Sequence, residues 1–122
     1  MNTVIKHQNG RRELAQIPEV EGYNVYQLLV HCGCPAEMDK QGKIVIHYGD
    51  FCRWYLLIHA YNRVGERIRA VDRVDSRFAQ ELRDIREEMI WRGDIYGWLE
   101  LANMRLNAWE SEHLARLMER WL

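Results

Sequence analysis

The chain has 122 residues, of which 48% are hydrophobic, 29% are charged and only 2 are prolines. This composition predicts a single globular domain over residues 1–122 and excludes intrinsic disorder as the main state, because the apolar content is sufficient for a core. The formal net charge of −1 excludes a global electrostatic attraction to nucleic acid or to an anionic membrane, so either partner would need a local basic patch.

Residues 1–49 predict a small mixed α/β part. Within residues 4–15, Asn9-Gly10 is the dipeptide most typical of a two-residue β-hairpin turn. Over residues 24–32, apolar side chains recur at i, i+3, i+4 and i+7, with Asn24 as a candidate N-cap and Gly33 after the last turn. We therefore expect a β-hairpin followed by a short amphipathic helix.

Residues 43–48 are the best strand candidate, since Ile44, Ile46 and Tyr48 occupy alternate positions and Gly49 follows them. Asp50 is a candidate N-cap for the next segment, residues 51–64, which is apolar on nearly every side. We expect that segment to be a buried central helix around which other helices pack. Residues 65–74 either continue this helix or form an irregular connector.

Residues 75–122 contain no proline and predict successive amphipathic helices. The first covers residues 75–92, and Arg92-Gly93-Asp94 predicts a tight turn into a second over residues 95–106. Asn107 with Glu110 resembles a capping box that starts a separate last helix. The predicted fold class is α+β and predominantly α. It has a small N-terminal β element, a hairpin or short sheet, and a C-terminal bundle of about four helices over residues 50–122.

Four of the five tryptophans lie in this C-terminal tract. Trp98 and Trp121 fall on the apolar faces of their predicted helices, which predicts that both belong to the core. Trp91 and Trp109 fall off those faces, next to the turn and at the start of the predicted last helix. Because Trp, Tyr and Arg carry most of the binding energy at interfaces, these positions predict a partner surface. The candidate partner-binding residues are Trp91, Arg92, Tyr96 and Trp109.

A nucleic-acid-associated regulator is one alternative. Arg69, Arg73 and Arg77 have i, i+4, i+8 spacing, which on one continuous helix would align three guanidinium groups along an edge that follows a phosphate backbone. Acidic residues are interleaved with them, and the predicted helix is interrupted near residues 72–76. A surface of salt bridges is therefore the favoured interpretation of this arginine series.

A zinc protein or a thiol enzyme is a further alternative, with Cys32, Cys34, Cys52 and His47 as the candidate ligands or reactive groups. The first two cysteines are spaced Cys-x-Cys rather than Cys-x2-Cys, and no second pair matches them. Cys32 and Cys52 also occupy apolar helical positions, where a free cysteine acts as a small hydrophobic residue. We therefore expect no metal, no cofactor and no catalytic residue.

The leading functional hypothesis is a non-enzymatic protein-interaction or regulatory module with a protein partner, and a homo-oligomer is a close variant. A further alternative, by analogy alone, is an inhibitor that a phage or mobile element encodes against a host complex, similar to the anti-CRISPR type. The chain is compact enough for this role, and no individual residue indicates it. The N-terminus lacks an apolar leader, and three closely spaced cysteines fit a reducing compartment, so a cytoplasmic location without a membrane partner is expected.

Overall fold

The computed structural model describes residues 2–121 of the chain. Over these residues the elements follow in the order β1 (Asn2–Lys6), β2 (Arg12–Gln16), α1 (Val25–His31), β3 (Glu37–Met38), β4 (Ile44–His47), α2 (Tyr48–Asp72), α3 (Ser76–Trp91) and α4 (Ile95–Trp121). The predicted α+β class with predominant helix is confirmed. The described part of the chain contains no helix with the length and apolarity needed to cross a membrane.

Within this described part, the strands form one mixed sheet in the order β2-β1-β4-β3. β1 pairs antiparallel with β2, so the predicted hairpin is confirmed. Its connection covers residues 7–11, with Gly10 at φ +83°, and is longer than a two-residue turn at Asn9-Gly10. β1 also pairs in parallel with β4, which places Ile5 beside Ile46. Both side chains are almost completely buried, because this face of the sheet packs against the helices.

The predicted short helix is confirmed as α1, and its ends form as the sequence indicates. The side chain of Asn24 accepts a hydrogen bond of 3.2 Å from the backbone N–H of Gln27. Gly33 follows the helix with φ +93°, the left-handed conformation that favours glycine at this position. The hydrogen bond of this cap joins residues three positions apart, which explains why the sequence predicts it.

Helix α2 begins earlier and ends later than the segment that the sequence delimits. The prediction that Asp50 caps this helix is wrong, because the chain passes from β4 directly into helix at Tyr48 and leaves Asp50 in the first turn. At the other end the helix runs on through Gly65 to Asp72, so residues 65–72 are helical rather than irregular. The buried positions Val64, Ile68 and Val71 continue its apolar face.

Helix α2 is central, as predicted. It packs against α3, α4 and the sheet. Seven of its side chains are buried: Trp54, Leu57, Ile58, Tyr61, Val64, Ile68 and Val71. The loop before α1 is attached to it, since the Tyr61 hydroxyl donates to the Glu21 carbonyl (3.0 Å) and the Asn62 side chain donates to the Glu19 carbonyl (3.0 Å).

Helices α3 and α4 are joined by the tight turn that Arg92-Gly93-Asp94 predicts. The side chain of Asp75 caps α3 by accepting from the N–H of Phe78 (3.1 Å), and Gly93 adopts φ +78°. Asp94 then caps α4 by accepting from the N–H of Gly97 at 2.8 Å. Gly93 after the end of α3 and Asp94 at the start of α4 together allow two long helices to reverse direction within three residues.

Helix α4 is one continuous helix of 27 residues, so the predicted start of a separate helix at Asn107 is wrong. The side-chain Oδ1 of Asn107 accepts a hydrogen bond from the Arg67 guanidinium at 2.7 Å instead of capping a helix. The prediction that Trp121 belongs to the core is also wrong, since its side chain is 88% exposed, whereas Trp98 is 1% exposed. The bundle therefore contains three long helices, and the end of α4 lies outside its core.

Gly97 has a specific role that a pair of substitutions tests. A Cβ at this position would overlap the Asp94 carboxylate, so Gly97→Ala displaces the cap. The gain in helix propensity, about 1 kcal/mol, and the loss of the cap, also about 1 kcal/mol, then nearly cancel. We expect Gly97→Ala to change the free energy of unfolding little in the native chain but to stabilise an Asp94→Ala chain by about 1 kcal/mol.

Urea unfolding of the four chains measures this coupling. An equal gain from Gly97→Ala in both backgrounds would show that the Asp94 carboxylate does not require a glycine at position 97.

Candidate interaction surface

The candidate surface lies at the end of the bundle where α1 meets the turn between α3 and α4. A Cβ on Gly93 would come within 3.2 Å of the His31 carbonyl oxygen, so the last turn of α1 packs closely on this turn. His31 Nε2 donates a hydrogen bond to the carbonyl oxygen of Trp91, the last residue of α3. These contacts fix the position of the three helix ends relative to one another.

Trp91 is the most exposed aromatic side chain at this end, with 78% of its surface accessible. Its indole packs on the imidazole of His31, with ring centroids 5.6 Å apart and an angle of 35° between the planes. One face of the ring is therefore supported while most of the ring remains in water. A supported and exposed indole loses little conformational entropy when a partner covers it.

A cavity of about 390 Å³ lies beside Trp91, between α1 and α3. Gln27, Leu28 and His31 line it from α1, Glu87, Ile90 and Trp91 line it from α3, and Tyr23 closes one side. Leu28 and Ile90 are each 2% exposed and form an apolar floor. The Arg86 guanidinium lies 5.8 Å from the centre of the Tyr23 ring and stabilises it by a cation–π contact.

Arg92 and Tyr96 flank the same turn. Arg92 pairs with Glu88 at 2.8 Å, but both side chains are mostly exposed, so this pair contributes little to stability and remains free to exchange partners. Tyr96 is 49% exposed and its hydroxyl accepts from Arg53 Nε at 3.0 Å. Trp91 therefore faces α1 and Tyr96 faces α2, on two sides of one turn.

Trp109 is not part of this surface, contrary to the expectation that it joins Trp91. It lies thirteen residues after Tyr96 on α4, which is about 20 Å along the helix axis. Its indole N–H donates to Asp75 Oδ2 at 3.0 Å, and its ring stacks on Phe78 with centroids 6.0 Å apart and planes within 8°. These contacts attach the start of α3 to α4, and they leave Trp109 half-buried.

The arginine series does not form one helix edge. Arg69 belongs to α2 and pairs with Glu21 at 2.7 Å, Arg73 follows the end of α2, and Arg77 lies in the first turn of α3. The break between the helices at residues 73–75 therefore removes the i, i+4, i+8 alignment on which the nucleic-acid hypothesis depends.

Cys32 and Cys34 differ from activated nucleophiles. Burial raises the pKa of the Cys34 thiol to about 12 and also raises that of Cys32, whereas a nucleophilic cysteine needs a lowered pKa. Cys52 is half-buried and His47 is exposed at the start of α2. Among residues 2–121, no group of three or more His, Cys, Asp or Glu side chains is arranged to hold a metal ion.

Comparison with protein-family models, with curated proteins and with solved structures found no match to this chain. The function is therefore inferred from the chain's own residues. The sequence predicts Trp91, Arg92 and Tyr96 as surface candidates but not Tyr23 and His31, because the proximity of these two residues to Trp91 arises only when α1 packs against α3.

Tryptophan exposure can be measured directly. Trp91 and Trp121 are 78% and 88% exposed, whereas Trp54 and Trp98 are 3% and 1% exposed. We expect iodide, an ionic quencher that does not enter the core, to quench an accessible class of tryptophans that Trp91→Phe and Trp121→Phe each reduce and that the double variant reduces to the contribution of the half-buried Trp109. Uniform protection of all five tryptophans would contradict the exposed position of Trp91.

The Asp75 carboxylate predicts a specific pH dependence. The hydrogen bond from Trp109, followed by that from the N–H of Phe78, lowers the pKa of Asp75 below its usual 3.8. A carboxyl group whose pKa is lowered by folding stabilises the native state above the unfolded pKa and loses this contribution as pH falls through the folded pKa. We expect native protein to be more stable than Asp75→Asn at pH 7, with the difference closing well below pH 3.8.

Urea unfolding of both chains over this pH range measures the difference. Asp84→Asn, on the exposed surface of α3, is the matched control, and a difference for Asp75→Asn that does not change with pH would contradict the assignment.

Proposed function

We propose that this chain is a non-enzymatic protein-interaction module that binds a protein partner through the surface around Trp91, Arg92 and Tyr96. The observation that carries the proposal is the 78% exposure of Trp91, whose ring is nevertheless held in place by His31. Covering a large apolar side chain contributes about 1.5–3 kcal/mol. In the free chain the Trp91 side chain is mostly in water, so the free energy of burying it becomes available when a partner covers it.

The neighbouring cavity supports the same proposal. Its apolar floor at Leu28 and Ile90 can receive one apolar side chain of a partner, and Trp91 would cover that side chain from the rim. Polar groups at Gln27 and Glu87 surround this floor. An apolar pocket next to an exposed aromatic ring, with a polar rim, is the usual arrangement of an interface hot spot.

The chemistry of the cysteines supports a binding role over catalysis. Both Cys32 and Cys34 have raised pKa values, and the chain contains only two serines and one threonine. A binding module acts on its partner by occupying a surface, so the proposed role is regulatory or inhibitory. The described cysteines are all free, which fits a reducing compartment and supports a cytoplasmic location.

Photo-crosslinking in the cells of origin tests the proposal. A benzophenone amino acid replaces Glu88, which lies one helical turn before Arg92 and leaves Trp91 intact. We expect an adduct with one protein, and we expect Trp91→Ala to reduce its yield at least about tenfold, as for a hot-spot residue. Immunoblotting and mass spectrometry of the adduct measure the result.

Two controls make the result specific. The same amino acid at Leu14, an exposed position on β2, is expected to give no such adduct. Trp121→Ala, which removes the other exposed tryptophan, is expected to leave the yield at position 88 unchanged. An adduct with nucleic acid, or loss with Trp121→Ala but not with Trp91→Ala, would contradict the proposal.

A further inference from the structure

Helix α4 extends beyond the other helices of the bundle. Contacts of Arg53 with Tyr96 and of Arg67 with Asn107 show that α2 runs beside α4 in the same direction. Because α2 ends at Asp72, its last residue lies level with about residue 112 of α4. Helix α3 begins at the same level, since Phe78 stacks on Trp109. The last nine residues of α4 therefore project by about 14 Å.

The projecting part carries an apolar face with no helix beside it. Leu114, Leu117, Met118 and Trp121 have i, i+3, i+4, i+7 spacing and form what we call the α4 stripe. Their side chains are 59%, 38%, 57% and 88% exposed. Adjacent large apolar side chains that remain in water mark an interaction site more often than isolated ones do.

One side of the α4 stripe is basic. At about 100° per residue, His113, Arg116 and Arg120 lie on one side of the stripe, whereas Ser111, Ala115 and Glu119 lie on the other. The three basic residues and Leu117 line a cleft of about 240 Å³ against the loop between α2 and α3.

Among residues 2–121, the arginines of this cleft form no strong ion pair with an acidic side chain. Arg116 is 3.8 Å from Glu112, and both side chains are mostly exposed, so the pair is weak. The Asp75 carboxylate also lines the cleft, but it already accepts hydrogen bonds from the Trp109 indole and the N–H of Phe78. The cleft therefore has the capacity to accept further carboxylates.

We propose that the α4 stripe binds an acidic amphipathic helix of a protein partner. The apolar residues of that helix cover the stripe, and its flanking carboxylates pair with Arg116 and Arg120. This surface lies at the opposite end of the bundle from Trp91, so the proposal does not depend on the function assigned to that end. A helix lying along a helical stripe with one basic flank satisfies both the apolar and the charged groups.

A second copy of the chain does not provide this charge complementarity. In an antiparallel two-fold pair the same flanks face each other, so Arg116 and Arg120 would meet arginines of the other copy. In a parallel pair Arg120 would face Ala115, which carries no charge, and Glu119 would be the nearest carboxylate on that side. The antiparallel arrangement therefore brings arginines together, and the parallel arrangement offers the two arginines at most this one carboxylate.

An anionic membrane also fits the stripe less well. Residues 110–121 contain three glutamates and two arginines, so this segment has a charge of −1 with neutral histidine. Membrane-surface helices combine an apolar face with a net basic polar face. In this segment the positive charge is confined to one flank of the helix. That distribution suits a partner about as wide as one helix.

Two three-heptad peptides test the proposal with the full chain. They share a leucine stripe and carry fluorescein, but one has flanking glutamates and the other has flanking lysines. We expect fluorescence anisotropy to show binding of the glutamate peptide at least about tenfold tighter than binding of the lysine peptide. Arg116→Glu with Arg120→Glu is expected to invert this preference, because it reverses the charge of the flank.

Leu114→Ala with Met118→Ala is expected to weaken binding of the glutamate peptide at least about tenfold, since it removes two side chains of the stripe. Leu56→Ala with Arg63→Glu is the matched control: it changes an exposed leucine and an exposed arginine on α2 and should leave binding unchanged. All substituted positions are partly or fully exposed, and circular dichroism verifies the fold of each variant.

Three outcomes would overturn the proposal. The first is no binding of the glutamate peptide, or equal binding of both peptides. The second is a dimer in light scattering that Leu114→Ala with Met118→Ala dissociates, which would assign the stripe to a second copy. The third is stripe-dependent binding to phosphatidylserine vesicles without binding to the glutamate peptide, which would assign it to a membrane.

Discussion

Burial of α2 on several sides is the constraint on which the rest of the structure depends. The sheet, α3 and α4 each cover a different part of this helix, and only together do they remove Trp54, Ile58 and Ile68 from water. Each such side chain contributes about 1.5–3 kcal/mol when fully buried. The buried Tyr61 hydroxyl is satisfied by the Glu21 carbonyl, so the same packing also positions the loop that leads into α1.

The lengths of the helices then determine where surfaces remain open. Helix α3 has 16 residues and α4 has 27, so α4 cannot be covered along its whole length. Leu106 is the last buried side chain of α4, and Trp109 and Arg67 connect α4 to its neighbours just beyond it. Exposed aromatic side chains consequently lie at the turn between α3 and α4 and at the end of α4.

Features that depend on adjacent residues could be predicted from the sequence. The caps at Asn24 and Asp94 and the turn at Gly93 form as expected, because their hydrogen bonds join residues within a few positions. Asn107 shows the limit of this approach. Its side chain has the chemistry of an N-cap, but its Oδ1 accepts a hydrogen bond from Arg67, which lies forty residues earlier. No local sequence pattern contains that contact.

The candidate sites also combine features that the local sequence determines with features that depend on tertiary packing. The sequence by itself determined the fold class, most helix ends and the residue types that suit an interface, because propensity, capping and periodicity are local properties. Only the tertiary structure decided which apolar faces are covered. Trp98 and Trp121 both lie on regular apolar faces of α4, yet one is 1% exposed and the other 88%. Periodicity specifies that a face is apolar, whereas burial requires another element beside it, and no element extends to Trp121.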